Sequence, residues 1–409
     1  MTWIPRRLER WLRSLDGGPP LAVVTASSVH SLSFARSLGR RGVPVLLVDS
    51  DGQLAVRSRF ARTLALPPAE ESPREWIDAL TAVGSCRPEP AVLVPTADVH
   101  CVLVSRHRDE LASRYRFLLP EAPMVERLAD KREQLRLAEE AGLLVPATHE
   151  VESAAEAREV AAAVRYPCVV KPRRSRTGPS FLGDGKLLVA RYPEELVRGY
   201  DTFRQQGVPA VIQEVVPGGD DRLVGYLGLW DPAGREVAWL TKRKLRQFPP
   251  GYGNGSLQVS EDLPAVAELS RRLLRHARYC GLVNIEFKLD ERCGEYCLIE
   301  VNPRGSAMNE LAVRAGLDLP WLTYALLTGR DVGRPATPAW GRRCVNEEWD
   351  VQAFWALRRS ARMTLGGWLR SIAGADTVIG AWDDPLPLLL GMARGLKRLA
   401  ARRAAGSGR

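Results

Sequence analysis

Two short β-rich runs, LAVVTA (21–26) and VPVLLVDSD (43–51), flank a segment in which Leu32, Phe34, Ala35 and Leu38 recur at helical spacing. Short apolar runs read as strands and a recurrence of about 3.6 residues as a helix, so this stretch predicts a βαβ unit. AVLVPTADVHCVLVSRHRDEL repeats the strand-then-helix order, and YRFLLP adds a short strand. The pattern predicts a small parallel α/β domain ending near residue 122. Beyond it the organisation changes. APMVERLADKREQLRLAEEAGLLVPA predicts one long amphipathic helix that stops at Gly142, ahead of Pro146. THEV, a helix over about 153–164, the strand PCVVKP, a polar loop RRSRTGPS, GKLLVA, a helix over 193–206 and PAVIQEVVPGGDD follow. Residues 222–245 alternate as antiparallel strands do, PPGYGNGS is a Gly/Pro loop, and a helix over about 262–280 leads to NIEFKLDERCGEYCLIEVN. From about 335 the chain is rich in Trp and Arg with weak helical patterning, and no internal repeat is evident.

That last-named segment reads as a hairpin, and its polar positions raise the chemistry. Centred on Cys293, the hairpin sets Glu286 opposite Glu300. Side chains alternate faces along a strand. Asn284, Glu286, Lys288, Leu298, Glu300 and Asn302 then share one face. Ile285, Phe287, Leu289, Cys297, Ile299 and Val301 share the other, apolar one. A β-bulge in either strand would shift this parity. Two facing carboxylates repel, so something positive is expected between them. Carboxylates with an amide carbonyl suit a hard cation such as Mg²⁺; the alternative is that Lys288 or Arg304 neutralises the pair.

Composition narrows the classes. The chain has 409 residues, long enough for two or three domains, and 45% apolar and 26% charged residues are ordinary for a globular protein. Apolar runs such as LPLLLG fall far short of a membrane span, and the N-terminus does not read as a secretory signal. Seven scattered cysteines include no Cys-x-x-Cys, so neither a zinc site nor a disulfide framework is expected, and a cytoplasmic chain is. The net charge of +10 is concentrated at the ends: residues 1–15 carry +3 and residues 386–409 carry +6. The body is nearly neutral, which argues against nucleic acid. The first βα turn, TASSVHS, lacks the Gly-x-Gly-x-x-Gly that a dinucleotide pyrophosphate needs, so Asp49 after the second strand does not signal NAD.

The motif IEVNPR (299–304), together with the acidic residue one hairpin upstream, resembles the ATP-grasp superfamily over roughly residues 20–330, in the manner of its stand-alone carboligases. The resemblance implies a combined α/β and α+β architecture: a Rossmann-like pre-ATP-grasp domain (20–122), a lid with its leading helix (123–215) and an antiparallel core with the metal site (216–334). A basic helix (1–19) and a Trp/Arg-rich extension (335–409) flank them. It implies ATP with Mg²⁺, or Mn²⁺, held by Glu286, Glu300 and Asn302. Arg304 would steady an acyl phosphate. Lys131 and Lys171 would reach the nucleotide phosphates. Glu214 and the backbone of Val215 and Val216 would meet the adenine, and Asp221, with Asp220 the competing choice, the ribose. Lys244 and Arg246 are offered to a phosphate or a substrate carboxylate. The loop RRSRTGPSFLGDGK is poorer in glycine than many members show, leaving Arg173, Arg174, Ser175 or Lys186 to close over the phosphates. Hinges are expected near 142 and 216. The implied activity is an ATP-dependent ligase coupling a carboxylate to an amine through an acyl phosphate. ATP-dependent carboxylation, a non-amine nucleophile, and a nucleotide-binding scaffold at a membrane surface are the alternatives.

Residues 3–15 put Ile4, Leu8, Trp11, Leu12 and Leu15 on one helical face and Arg6, Arg7, Arg10 and Arg13 elsewhere. Such a basic amphipathic helix suits an anionic membrane surface at the cell interior or an acidic partner, or else docks on its own domain. A homodimer is the expected assembly. The five tryptophans at 340, 349, 355, 368 and 382 suit either a substrate wall or core packing.

Overall fold

The computed structural model describes residues 4–25, 28–50, 57–174, 187–333 and 337–393. Strands β1 (Ala22–Thr25), β2 (Val45–Asp49), β3 (Arg62–Ala65), β4 (Ala91–Val94) and β5 (Tyr115–Arg116) form a parallel sheet in the order β3-β2-β1-β4-β5. Alternate residues of these strands feed two different cores. Val23, Leu46 and Leu93 face Trp76 and Leu80 of the helix Pro73–Ser85. Val24, Leu47 and Val94 face the helix Ser28–Gly39 in a cluster that also holds Leu227 and Leu240 of the third sheet. A sheet buried on both faces explains why its strands read as continuous apolar runs.

The basic N-terminal helix spans Arg6–Arg13, and Ile4, Leu8 and Leu12 are buried in the first of those cores. Its apolar face is therefore spent on its own domain. Of the readings open for this helix the structure bears out docking on its own domain, and burying an apolar face in one place withdraws it from a membrane or partner. No helix among the described residues is long and apolar enough to cross a membrane. The basic tail singled out at the C-terminal end lies largely outside the described residues.

The second sheet is antiparallel, of β6 (Thr148–Glu150), β7 (Cys168–Pro172), β8 (Leu188–Ala190) and β9 (Ala210–Glu214) in the order β6-β9-β7-β8. Helices Ala154–Ala163 and Pro193–Gln205 close its own small core around Cys168, Val170, Ile212 and Phe203. The long helix expected to lead into it is broken. Two helices, Ala122–Ala129 and Lys131–Glu140, meet at Asp130, whose backbone is extended and whose side chain caps the second by accepting from Arg132 N and Glu133 N. The D-x-x-E spacing of Asp130 and Glu133 is a helix-start signal that the apolar periodicity overrode.

The third sheet runs β14-β13-β10-β11-β12-β15-β16, from β10 (Leu223–Trp230), β11 (Glu236–Phe248), β12 (Asn254–Ser260), β13 (Gly281–Asp290), β14 (Glu295–Asn302), β15 (Arg343–Val345) and β16 (Asp376–Thr377). Glu286 does pair with Glu300, and Asn284 with Asn302. A bulge then shifts the register, so Phe287 pairs with Leu298 and Lys288 with Cys297. This corrects three expected positions, Cys297 among them, since it pairs with Lys288 and not with the apolar row. Leu298 joins Ile285, Phe287 and Val301 in the core, while Ile299, the extra residue, turns to the opposite face.

The Trp/Arg-rich extension is part of the fold. Its strand β15 pairs with β12, and its helix Glu347–Arg359 supplies Asp350 to Arg246, Nε to Oδ1 at 2.8 Å, both buried. Asp350 also accepts from Ser256 Oγ and Trp368 Nε1. Arg246 is thereby removed from the phosphate or substrate role expected of it. None of the five tryptophans lines the main cleft described below; Trp368 stacks on Phe354, and Trp340 lies near Trp239. A second buried pair, Arg36 with Asp384 at 2.9 Å, ties the extension to the first domain.

Removing one partner of a buried ion pair strands the other charge, at a cost of about 3–5 kcal/mol. Asp350→Ala is expected to lower the first urea unfolding transition by that order. Trp368 fluorescence reports the loss, since its indole N–H loses its acceptor.

Candidate active site

Between the second and third sheets lies a cleft of about 930 Å³. Its walls separate by chemistry. Val169 and Leu187 from the lid side, and Val216, Leu223 and Ile299 from the core side, give apolar contact suited to a flat ring system. Lys131, Lys171, Lys244 and Lys288 line the polar part together with Glu286 and Glu300.

Each polar residue arrives by a different route. The capped helix start at Asp130 presents Lys131 from its first turn, 3.8 Å from Glu300 Oε1. Strand alternation in β7 buries Cys168 and Val170 in the lid core and turns Val169 and Lys171 to the cleft. Lys171 Nζ donates to Gln213 Oε1 at 2.7 Å, and Gln213 Nε2 donates on to Thr148 Oγ1. From β11, Lys244 Nζ reaches Glu286 Oε2 at 2.7 Å. Cross-strand pairing places Gly225 between Glu286 on one side and Lys242 on the other. A Cβ at Gly225 would stand 2.8 Å from Ile285 O and 3.1 Å from Lys242 Cε, so only glycine gives the Lys242 side chain its path across the strand.

The carboxylates are thus neutralised by Lys244 and Lys131, not by Lys288 or Arg304. Burial pushes the Glu286 carboxyl up, but Lys244 and Lys242 outweigh it and hold it below its usual range. Burial, with Lys131 adding to it, brings Lys171 down to about 7 despite Glu300. Burial brings Lys242 to about 8 against the pull of Glu286.

Asn302 and Arg304 stand beyond the cleft's inner end. Arg304 Nη2 donates to Asn302 Oδ1 at 2.9 Å and Nε to Asp98 Oδ1 at 2.7 Å, while Nη1 meets His30 Nε2 at 3.2 Å. Arg304 therefore joins the first domain to the strand carrying the paired carboxylates. Among the described residues no three His, Cys, Asp or Glu side chains gather into a metal cage. Two facing carboxylates with an amide oxygen nearby still fit Mg²⁺, which takes one or two carboxylates and completes its shell with phosphate and water.

At the other end, Glu214 lines the cleft but its carboxylate is held by Arg292. Val215 N donates to Pro167 O at 3.2 Å, so of the expected backbone contacts its N–H is committed within the fold. Asp221 is exposed and lies outside the lining. Asp220 is the nearer of the two, accepting from Gln247 Nε2 at 2.7 Å, and Gln247 does line the cleft. Sequence reasoning missed Gln213, Gln247 and the loop residues Tyr252 and Asn254. Only Gln213 had a signal, two residues from an apolar strand position in VIQE. Of the lid loop, Arg173 pairs with Asp130 and Arg174 with Glu126, whereas Ser175 and Lys186 lie outside the described residues.

A two-sheet cleft with paired carboxylates on a long antiparallel sheet and lysines converging from the lid is the arrangement of the ATP-grasp fold. The family model described as ATP-grasp in the biosynthetic pathway with Ter operon matches residues 229–348. The D-aspartate ligase of Enterococcus faecium is 21% identical over 324 residues, covering 75% of this chain and 76% of that protein. The biotin carboxylase domain of the 2-oxoglutarate carboxylase of Hydrogenobacter thermophilus superposes with a TM-score of 0.62 at 15% identity, covering 79% of this chain and 73% of that one. The L-amino acid ligase of Bacillus licheniformis does so at 0.59 and 15%, covering 80% and 78%. Residues 229–348 thus match an ATP-grasp family model, and the chain has the ATP-grasp fold.

The Lys171 value sets a pH dependence of stability. Its pKa in the folded chain, about 7, lies below the ordinary lysine value of 10.5. Between these values the unfolded chain binds more protons, so this residue's penalty on stability shrinks as pH rises through that window. Lys171→Met is expected to raise the melting temperature at pH 7 and to flatten its rise toward pH 9.5. Thermal melts of both proteins across that range check it.

Proposed function

We propose that this protein is an ATP-dependent carboxylate–amine ligase. The observation that carries the reading is the register that sets Glu286 against Glu300 with Lys131 and Lys244 beside them. Four lysines around two carboxylates leave a cationic excess, which suits a polyphosphate, and the apolar wall beside them suits a purine. Glu286, Glu300 and Asn302 would hold Mg²⁺, which when bound neutralises charge on the transferring phosphoryl group. Lys131 and Lys171 would hold phosphate oxygens, with Lys244 or Lys288 a further contact. Asp220 or Asp221 would face the ribose, beside the backbone at Glu214, Val215 and Val216.

In this reading a substrate carboxylate oxygen attacks the terminal phosphorus of ATP and ADP leaves. An amine nitrogen then attacks the acyl carbon, the C–N bond forms and the C–O bond to phosphate breaks. Arg304, beyond the cleft's inner end, would be the cation that meets negative charge growing on the acyl centre. The protein contributes position and charge, and no side chain becomes covalently attached. The similarity to a D-aspartate ligase and to an L-amino acid ligase favours an amino acid as one of the two substrates.

The test is ADP release from Mg-ATP against pooled amino and dicarboxylic acids, with and without pooled amines. Glu300→Gln removes one anionic ligand and is expected to lower turnover at least about 100-fold, a loss of the order seen when transition-state charge loses a stabilising group. Fluorescent-nucleotide binding should persist. Release at the same rate in this variant would sink the reading.

A further inference from the structure

The parallel sheet has its topological switch between β1 and β4: the chain leaves β1 toward β2 on one side, and β4 lies on the other. In open α/β sheets, ligands bind outside the carboxyl ends of the strands at such a point. Here the helices that begin beyond those two strand ends carry His30, near the start of Ser28–Gly39, and Asp98, the first residue of Asp98–Arg106. Arg304 of the third sheet reaches across and touches both. The crevice is therefore roofed by the residue that also holds Asn302, two residues along one strand face from Glu300, or about 7 Å.

The protonation pattern follows from donor counting. A guanidinium only donates, so in a hydrogen bond with Arg304 Nη1, 3.2 Å away, it is His30 Nε2 that supplies the lone pair. Asp98 accepts Arg304 Nε at Oδ1, and among the described residues its Oδ2 takes no hydrogen bond. A half-buried carboxylate oxygen beside a neutral imidazole nitrogen is complementary to an ammonium that must lose a proton.

We propose, building on the ligase reading above, that this crevice is the amine site and that His30 is the proton acceptor. The substrate class is a primary amine arriving as R–NH₃⁺. Its ammonium docks on Asp98 Oδ2. Arg304 turns to the anionic acyl phosphate and uncovers Nε2, which takes one proton. The nitrogen lone pair then forms the C–N bond, and the C–O bond to phosphate breaks with its electron pair leaving on phosphate. The nitrogen's second proton departs with that phosphate, and the amide is neutral.

Hydroxylamine separates this role from a structural one, because at neutral pH it is already unprotonated and traps acyl phosphates as hydroxamates. With Mg-ATP and pooled amino and dicarboxylic acids, wild-type protein is expected to yield amides without hydroxylamine and hydroxamates with it. His30→Gln keeps an acceptor toward Arg304 but is a poor base. It is expected to shift the hydroxamate-to-amide ratio by about 100-fold, the low end for general base catalysis. Asp98→Asn should raise KM for the amine with a smaller change in kcat. Equal loss of both products in His30→Gln, or no loss of amide, overturns the assignment while leaving the ligase intact. Absence of ADP release and hydroxamate in the wild type takes down the ligase reading and this assignment together.

Discussion

The pairing of Glu286 with Glu300 is the constraint around which the rest of the molecule is arranged. Two carboxylates in direct register are a cost that no apolar packing offsets, and the fold meets it with cations drawn from separate places. Lys244 comes from β11, two strands away from Glu286 across β10. Lys131 comes from a helix whose start is fixed by Asp130. Gly225 in the strand between leaves room for a third cation, Lys242, to lean toward Glu286. Neutralising the pair thus requires the helix pair before the lid, the lid's approach and the third sheet to be in place together.

The same dependence reaches the first domain through Arg304. Its guanidinium is shared among Asp98, His30 and Asn302, so a residue of the hairpin that carries the paired carboxylates is tied to two helices of the first domain. The apolar cluster uniting Val24, Leu47 and Val94 with Leu227 and Leu240 gives that arrangement a continuous core behind it. The C-terminal extension adds two buried ion pairs, one to each neighbouring part. A small movement of the first domain would therefore be felt at Asn302, because packed cores transmit displacement instead of absorbing it.

Much of this was legible in the sequence because the hairpin follows the simplest rule available, two-residue alternation. The paired glutamates depend on it, whereas Lys171 and the acidic-to-IEVNPR spacing were legible through the family resemblance. The bulge at Ile299 is where alternation fails, and it cannot be seen in a list of apolar letters: Leu298 and Ile299 are interchangeable by hydrophobicity and differ only in which side they face. Asp130 shows the converse, a local capping signal outvoted by a longer helical period, though breaking the helix there is what brings Lys131 to the cleft. Arg246 was misplaced for a third reason. Its partner Asp350 lies 104 residues away, and no local pattern reveals a contact at that separation. For the N-terminal helix the sequence left the choice open, since its amphipathicity is the same whether lipid, partner or its own domain covers it, and the structure shows its own domain.

These pairings also say how the site is tuned. Lys131, Lys171, Lys242 and Lys244 each already have an anion or a polar acceptor, and Lys171 retains its place only by surrendering part of its charge to burial. In the ligase reading, a nucleotide bringing both phosphates and a divalent ion lets the partners exchange. Glu286 and Glu300 would hold the ion, and Lys131 and Lys244, so released, would hold the phosphates. That exchange conserves the number of opposite-charge contacts while moving all of them onto the ligand, so the resting contacts need not be sacrificed for binding. A site whose carboxylates stood bare would bind the ion more tightly but would strain the fold until it arrived. The lysine-buffered pair gives up some of that affinity for a hairpin that keeps its register alone.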